Sequence, residues 1–385
     1  MSPSSNEANH IFHRRGAECA ENRRERRPTS SALLRVLCGS ALRTITLKNA
    51  KSLHRVATRC VILIVLLASG WSESLLARQD TLYMSVLNSR KHRLGALDNP
   101  TVGLFVSTDA GATWKHRGWT GYIRTFYTES GPDGVLWSAC GNGVLRSSDN
   151  GVKWRITTGW EVTEVLKVKV DPSKPSVVYA ATAYGVFRTE DSGETWKERN
   201  VGFLKPFVSD VVLDRSTTNR LLAASEDGVY LSANAGKRWQ LTGLKGKGVR
   251  TILQHPKEKS IFFAGTEEDG FFSSSDGGKS WQQSNKGLKQ LTIYTIACDR
   301  SDAEVLFVGT HGGGVYRSSD RGKSWRQIIE GLDNLVVHSL LVLPSNPSIL
   351  FAATLNGGLF KSTDRGEHWS FNSQEEGQVW GLSAR

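Results

Sequence analysis

Seven segments of the chain carry the same eight-residue phrase, Ser/Thr-x-Asp-x-Gly-x-x-Trp, with Asn replacing Asp once. The copies centre on Asp109, Asp149, Asp191, Asn234, Asp276, Asp320 and Asp364, so successive centres lie 40, 42, 43, 42, 44 and 44 residues apart. A fixed period of this size marks a repeat architecture, in which no unit can bury its apolar face without its neighbours. The third copy shows what one unit contains. Val162 to Val170 reads as a first strand, Asp171-Pro172-Ser173-Lys174-Pro175 as a turn and Val177 to Thr182 as a second strand. Gly185 to Arg188 makes a third strand, and a fourth begins at Thr195-Trp196-Lys197 after the repeated phrase. Short β-branched and aromatic runs separated by Gly, Pro, Asp and Ser are what strands and turns require.

Four short antiparallel strands per unit make a propeller blade, and seven units make an all-β, seven-bladed β-propeller. The first unit begins at Leu82-Tyr83-Met84-Ser85-Val86, which matches a second strand, so its first strand is missing. The segment Gln378-Val379-Trp380-Gly381-Leu382 follows the last unit and matches a first strand. It is expected to close the ring from the C-terminus and remove two exposed sheet edges.

The phrase has a structural explanation. Its Asp accepts backbone N–H groups of its own turn, and the Ser or Thr two positions earlier does so more weakly. Gly111, Gly151, Gly193, Gly236, Gly278, Gly322 and Gly366 are expected at positive φ, where a Cβ is strained. Trp114, Trp154, Trp196, Trp239, Trp281, Trp325 and Trp369 are expected to pack between sheets. Asn234 keeps the hydrogen-bonding capacity without the charge. The phrase lacks the alternating oxygen ligands of a calcium loop.

The phrase resembles the Asp-box, or bacterial neuraminidase repeat, over about 300 residues, from Ser107-Thr108-Asp109-Ala110-Gly111-Ala112-Thr113-Trp114 to Ser362-Thr363-Asp364-Arg365-Gly366-Glu367-His368-Trp369. The resemblance implies a sialidase-like propeller with the boxes at the blade periphery, away from the ligand face. That family holds sialidases, xyloglucan-cleaving glycosidases, sortilin-type receptors and photosystem II assembly factors, and a fold does not choose among them. The Arg-Ile-Pro-type motif of sialidases is missing, and only one propeller fits the chain, whereas xyloglucan-cleaving relatives generally use two. The closest likeness is to the compact, non-enzymatic assembly-factor type.

The formal charge of +12 is concentrated at the start. Residues 1–59 hold 12 Lys/Arg and 4 Asp/Glu, whereas residues 60–385 hold 37 and 33. The propeller is therefore not a broadly basic surface, and no nucleic-acid partner is expected. Residues 1–59 read as a basic, disordered leader. Residues 60–78 contain Val-Ile-Leu-Ile-Val-Leu-Leu-Ala, preceded by Lys48, Lys51, Arg55 and Arg59 and followed by Ala68-Ser69-Gly70. That order describes an export signal, or an uncleaved anchor that would be the only membrane contact. Residues 79–385 form the propeller, which is expected to lie in the periplasm or outside the cell. Cys140 and Cys298 sit in apolar runs of different units and read as buried free thiols. No zinc spacing or nucleotide-binding glycine loop occurs, so no cofactor or metal is expected.

If the boxes mark one face, recognition falls on the opposite face, built from the connections between fourth and first strands and between second and third strands. Those connections supply Trp119, Tyr122, Arg124, Trp160, Tyr184, Phe203, Lys205, Lys245, Lys247 and His311 as partner-binding candidates, with Phe207 and Trp380 nearby. Aromatic side chains mixed with charges suit a recognition surface, and packing inside the blades is the alternative role for several of them. The connection 87–100 adds a basic tip at Arg90-Lys91-His92-Arg93. Glycoside hydrolysis would require two carboxylates across one bond. Glu161, Asp210, Glu226, Asp227, Glu267, Glu268, Asp269 and Asp333 are the available acids. The expectation is an exported, non-enzymatic scaffold that binds a protein partner. The alternative is a glycoside hydrolase or a polysaccharide-binding protein.

Overall fold

The computed structural model describes residues 80–91, 100–118 and 123–385. The leader and the apolar segment 60–78 lie outside the described residues, as do Trp119, Tyr122 and, of the basic loop tip, His92 and Arg93. The described residues form seven four-stranded antiparallel sheets. In blade 3 the strands run Val165–Val170, Val178–Thr182, Gly185–Thr189 and Lys197–Glu198 from the inside outwards. The expected start at Val162 moves to Val165 because Glu164 adopts a φ of 47°, which no strand accommodates.

Blade 1 closes as the sequence predicts. Gly377–Ala384 lies beside Leu82–Ser89 as the innermost strand, with Met84 opposite Leu382. The other inner strands are Thr125–Ser130, Val165–Val170, Val208–Leu213, Val249–Gln254, Ile293–Cys298 and Val337–Val342. Each contacts the next around the ring. The second strands Val178–Thr182, Leu221–Ser225, Phe262–Thr266, Leu306–Thr310 and Leu350–Thr354 are buried along their whole length. They are covered on both faces by adjacent blades, which is why they read as continuous apolar runs rather than alternating ones. Three outer strands, Arg155–Ile156, Lys197–Glu198 and Gln282–Gln283, are two residues long and exposed, a length that offers little template for edge-to-edge pairing. Cys140 is buried and Cys298 half-buried; both are free, and burial pushes both thiols up to about 12.

The repeated turn has the expected bonding. Asp109 Oδ1 accepts the Thr113 N–H at 2.9 Å, Ser107 Oγ accepts the Gly111 N–H at 2.9 Å, and Ser107 Oγ donates to Asp109 Oδ1 at 2.7 Å. All seven motif glycines have positive φ. The residue before each, from Ala110 to Arg365, is also left-handed, which the sequence pattern did not indicate. At Asn234 the amide oxygen accepts the Arg238 N–H at 2.9 Å, the same bond without the charge.

These turns make stability acid-sensitive. Hydrogen bonds from the Thr113 hydroxyl, the Thr113 N–H and Ser107 hold Asp109 down to about 2. The His368 N–H and side chain hold Asp364 down to about 2. A depressed carboxylate contributes stability above its unfolded value that is lost as pH falls through its folded value. The thermal midpoint is therefore expected to drop most between pH of about 4 and about 2. Asp109→Asn with Asp364→Asn should flatten that drop; an unchanged acid profile would show that these turns do not set it.

Candidate functional site

The two faces of the ring are fixed by backbone bonds. The motif turns join the connections between first and second strands: Ser192 N–H donates to Ser176 O, Gly277 N–H to Ser260 O and Arg365 N–H to Ser348 O, at 2.8–3.0 Å. At the other end, connections between second and third strands join the entrances of the inner strands. Ala183 N–H donates to Glu164 O, Glu267 N–H to Gly248 O and Leu355 N–H to Val336 O, at 2.8–3.2 Å. The motif turns and the candidate connections thus occupy opposite faces, and the central channel is entered from the second.

Every inner strand is bulged one residue below that entrance. In blade 3, Val165 opposes Thr182 and Lys167 opposes Ala181, which leaves Leu166 unpaired. The same break leaves Phe126, Ser209, Arg250, Tyr294, His338 and Trp380 unpaired in the other blades. A bulge bends the strand and re-aims a side chain. Here all seven re-aimed residues sit on the strands around the axis, and all seven line one cavity of about 300 Å³. Side chains of the preceding blade satisfy amides below the bulges. Ile252 N–H donates to Asp210 Oδ2 at 3.3 Å, Leu340 N–H to Thr295 Oγ1 at 3.4 Å and Leu382 N–H to Ser339 Oγ at 3.1 Å.

The cavity has two unlike walls. Tyr294 and His338 stack at 4.8 Å and 12°, His338 and Trp380 at 4.1 Å and 20°, and Phe126 meets Trp380 edge-on at 5.6 Å. Burial first, then the charges of His311 and Arg250, lowers His338 to about 4, so this stack is uncharged at neutral pH. The other wall holds Lys167, Ser209, Asp210 and Thr251. Lys167 Nζ lies 4.3 Å from the Tyr127 ring centre and 3.9 Å from Asp210 Oδ2. Arg250 pairs with Glu267 and lies 5.9 Å from the Phe207 ring centre.

Asp210 is the one carboxylate among the described residues lining this cavity. Two of the other candidate acids are engaged elsewhere. Buried Asp227 accepts the Tyr230 and Ser225 hydroxyls at 3.0 Å, and Asp269 pairs with Lys247 at 2.5 Å. No group of three or more His, Cys, Asp or Glu side chains able to hold a metal occurs among the described residues.

The sequence-derived candidates fall into three groups. Trp160, Tyr184 and Lys205 are exposed on the connection face, and Arg124 and Lys245 are exposed beside them in sequence-equivalent connections. Trp160 is 90% exposed, Tyr184 55% and the unpredicted Leu204 72%. His311 accepts or donates at 3.2 Å to the Tyr294 hydroxyl, which ties it to the channel wall. Lys247 is held by Asp269. Phe203 is partly buried and packs against Tyr230 and Trp239, with ring centres 4.7 and 5.0 Å away, which is the blade-packing alternative named above. Sequence reading missed most of the seven bulged residues. Their common signal is their place immediately after Thr125, Val165, Val208, Val249, Ile293, Val337 and Val379, visible only when the units are aligned by strand entrance.

A ring of seven blades with a bulge-lined axial mouth defines the class: a seven-bladed β-propeller carrying a small central cavity. No protein-family profile matches the chain, and no curated protein sequence does. Solved structures share its fold. A GH74 enzyme of Niastella koreensis matches with TM-score 0.60 and 15% identity, over 75% of this chain and 54% of that one. YCF48 bound to D1 peptide matches with TM-score 0.53 and 15% identity, over 68% of this chain and 92% of that one. An extracellular domain of a B. thetaiotaomicron one-component system matches with TM-score 0.58 and 14% identity, over 74% of this chain and 39% of that one. The chain thus spans about half the length of the GH74 enzyme it matches. Among the described residues no helix is long and apolar enough to cross a membrane.

Proposed function

We propose that the protein is an exported, non-enzymatic scaffold whose connection face binds a protein partner, in the manner of an assembly or maturation factor. The observation that carries this reading is the run of exposed large side chains Trp160, Tyr184 and Leu204 on successive connections of blades 2 to 4. Exposed apolar side chains grouped on one face and flanked by charges such as Lys205 are the composition of a recognition surface. The cavity supports binding over hydrolysis, because a two-carboxylate mechanism needs a second acid and Asp210 is already engaged by Thr251 and Ile252. Of the propellers with a similar fold, YCF48 is seen with a bound peptide.

Export follows from the order of residues 48–70, basic, then apolar, then small. The test is direct. The full-length protein carrying Trp160→Ser, Tyr184→Ser and Leu204→Ser should fold normally and lose, by at least about tenfold, the affinity for the protein it captures from envelope extracts. Turnover of a polysaccharide by the wild type, abolished by Asp210→Asn, would replace this reading with the glycosidase one.

A further inference from the structure

We infer that the channel mouth is a binding site for a small planar carboxylate, a flat apolar ring bearing one carboxylate group. This goes beyond partner docking on the connection face and needs no partner to be tested.

Three features carry the inference. The first is shape. The stacked Tyr294, His338 and Trp380 rings give one flat apolar wall, and Phe126 closes its end. Small residues, Ser209, Thr295, Ser339 and Gly381, line part of the remainder, and the volume is about 300 Å³. That is the small end of ligand pockets, suited to one ring and its substituent rather than to an extended chain. The second is a cation held by one long ion pair. The Lys167 ammonium makes no side-chain hydrogen bond among the described residues; its pair with Asp210 is long, at 3.9 Å, and it rests over the Tyr127 ring. Two residues further along the same strand, Lys169 is bonded to Glu129 at 2.9 Å, so its donors are committed. The third is the distribution of charge. Arg250 is paired with Glu267, so within the cavity Lys167 is left with Asp210, whose Oδ2 also takes the Thr251 hydroxyl and the Ile252 N–H. A carboxylate would give Lys167 the close charge-assisted bonds that its 3.9 Å pair with Asp210 does not supply.

Isothermal titration of the full-length protein with three probes tests this. Phenylacetate should bind saturably. Phenylacetamide, which keeps the ring but loses the charge, and acetate, which keeps the charge but loses the ring, should each bind at least about tenfold more weakly. Lys167→Met should reduce phenylacetate affinity to the phenylacetamide level and leave phenylacetamide unchanged, while Lys167→Arg retains the preference. Equal binding of acid and amide, no saturable binding of phenylacetate, or a preference unaffected by Lys167→Met would each overturn the inference. Should Lys167→Met fail to melt cooperatively, the wild-type comparison decides alone: the acid's advantage over the amide must be present and must shrink as salt rises.

Discussion

Removal of residues 377–385 is expected to abolish the cooperative fold rather than trim it. This segment is a late piece of chain doing the work of a first strand. Gly377–Ala384 pairs along Leu82–Ser89, and Arg385 exchanges two backbone hydrogen bonds with Thr81. Val379 and Leu382 are buried in one cluster with Leu82, Met84 and Phe351, so the segment joins blades 1 and 7. Its loss exposes the edge Leu82–Ser89, forfeits a full ladder of hydrogen bonds, and takes Trp380 out of the axial stack. Each buried Val or Leu contributes about 1.5–3 kcal/mol and each ladder bond about 1 kcal/mol. The total is of the order of the whole net stability of a domain, about 5–15 kcal/mol. Thermal melts followed by circular dichroism, with size-exclusion chromatography, should show no single transition and a shift to aggregates. A truncated chain that melts cooperatively near the parent midpoint would show that blade 1 closes without this strand.

Much of this architecture is legible in the sequence. The motif spacing defined seven units, and the missing first strand of the first unit pointed to the C-terminal segment as its replacement. Both readings rest on patterns that are local in sequence. Turn chemistry at Asp109 or Gly111 involves atoms within four residues of each other, and the motif therefore reports it faithfully. The opposite holds for the axial site. A bulge adds one residue to one strand, and nothing in Val165-Leu166-Lys167 distinguishes a bulged strand from a regular one. The axial stack joins Tyr294, His338, Trp380 and Phe126 from four blades, a juxtaposition with no sequence proximity. Phe203 illustrates the converse. As an aromatic residue in a connection it has the composition of a recognition residue, yet its ring packs against Tyr230 and Trp239 from positions far along the chain.

The division between rigid frame and variable mouth follows from the same geometry. The motif turns bind their own blade and repeat almost without change, whereas the seven bulged positions hold Phe, Leu, Ser, Arg, Tyr, His and Trp. A symmetric frame thus presents an asymmetric axial surface. Ligand chemistry can be set there by side-chain choice alone, without disturbing the ladders that hold the ring.

The seven motif tryptophans, though alike in sequence, are expected to differ in what their removal costs. Five send the indole N–H across to the preceding blade: Trp114 to Asn372 Oδ1 at 2.8 Å, Trp196 to Thr157 Oγ1 at 3.3 Å, Trp239 to Arg199 O at 2.7 Å, Trp325 to Ser284 O at 3.2 Å and Trp369 to Ile328 O at 3.1 Å. Trp154 and Trp281 instead turn back to Gly151 O and Gly278 O of their own turns, at 3.0 and 3.2 Å. The cause lies in the preceding blade, where each ring packs directly on a glycine. A Cβ at Gly118 would lie 2.2 Å from Trp154 Nε1, and one at Gly243 would lie 2.2 Å from Trp281 Cδ1. The seams between blades 1 and 2 and between blades 4 and 5 therefore lack the indole crosslink. Trp369 is buried in the cluster with Phe360 and Ile328, so Trp369→Ala both opens a cavity and orphans the Ile328 carbonyl. It should cost about 3–5 kcal/mol. Trp154→Ala, half-buried and bonded only to its own turn, should cost about 1–2 kcal/mol, nearer the centre of the distribution for point substitutions. Urea melts of the two variants with matched slopes would measure the difference directly. Equal losses would mean that the cross-blade bonds add nothing to the packing, and a larger loss at Trp154 would reverse the assignment of the weak seams.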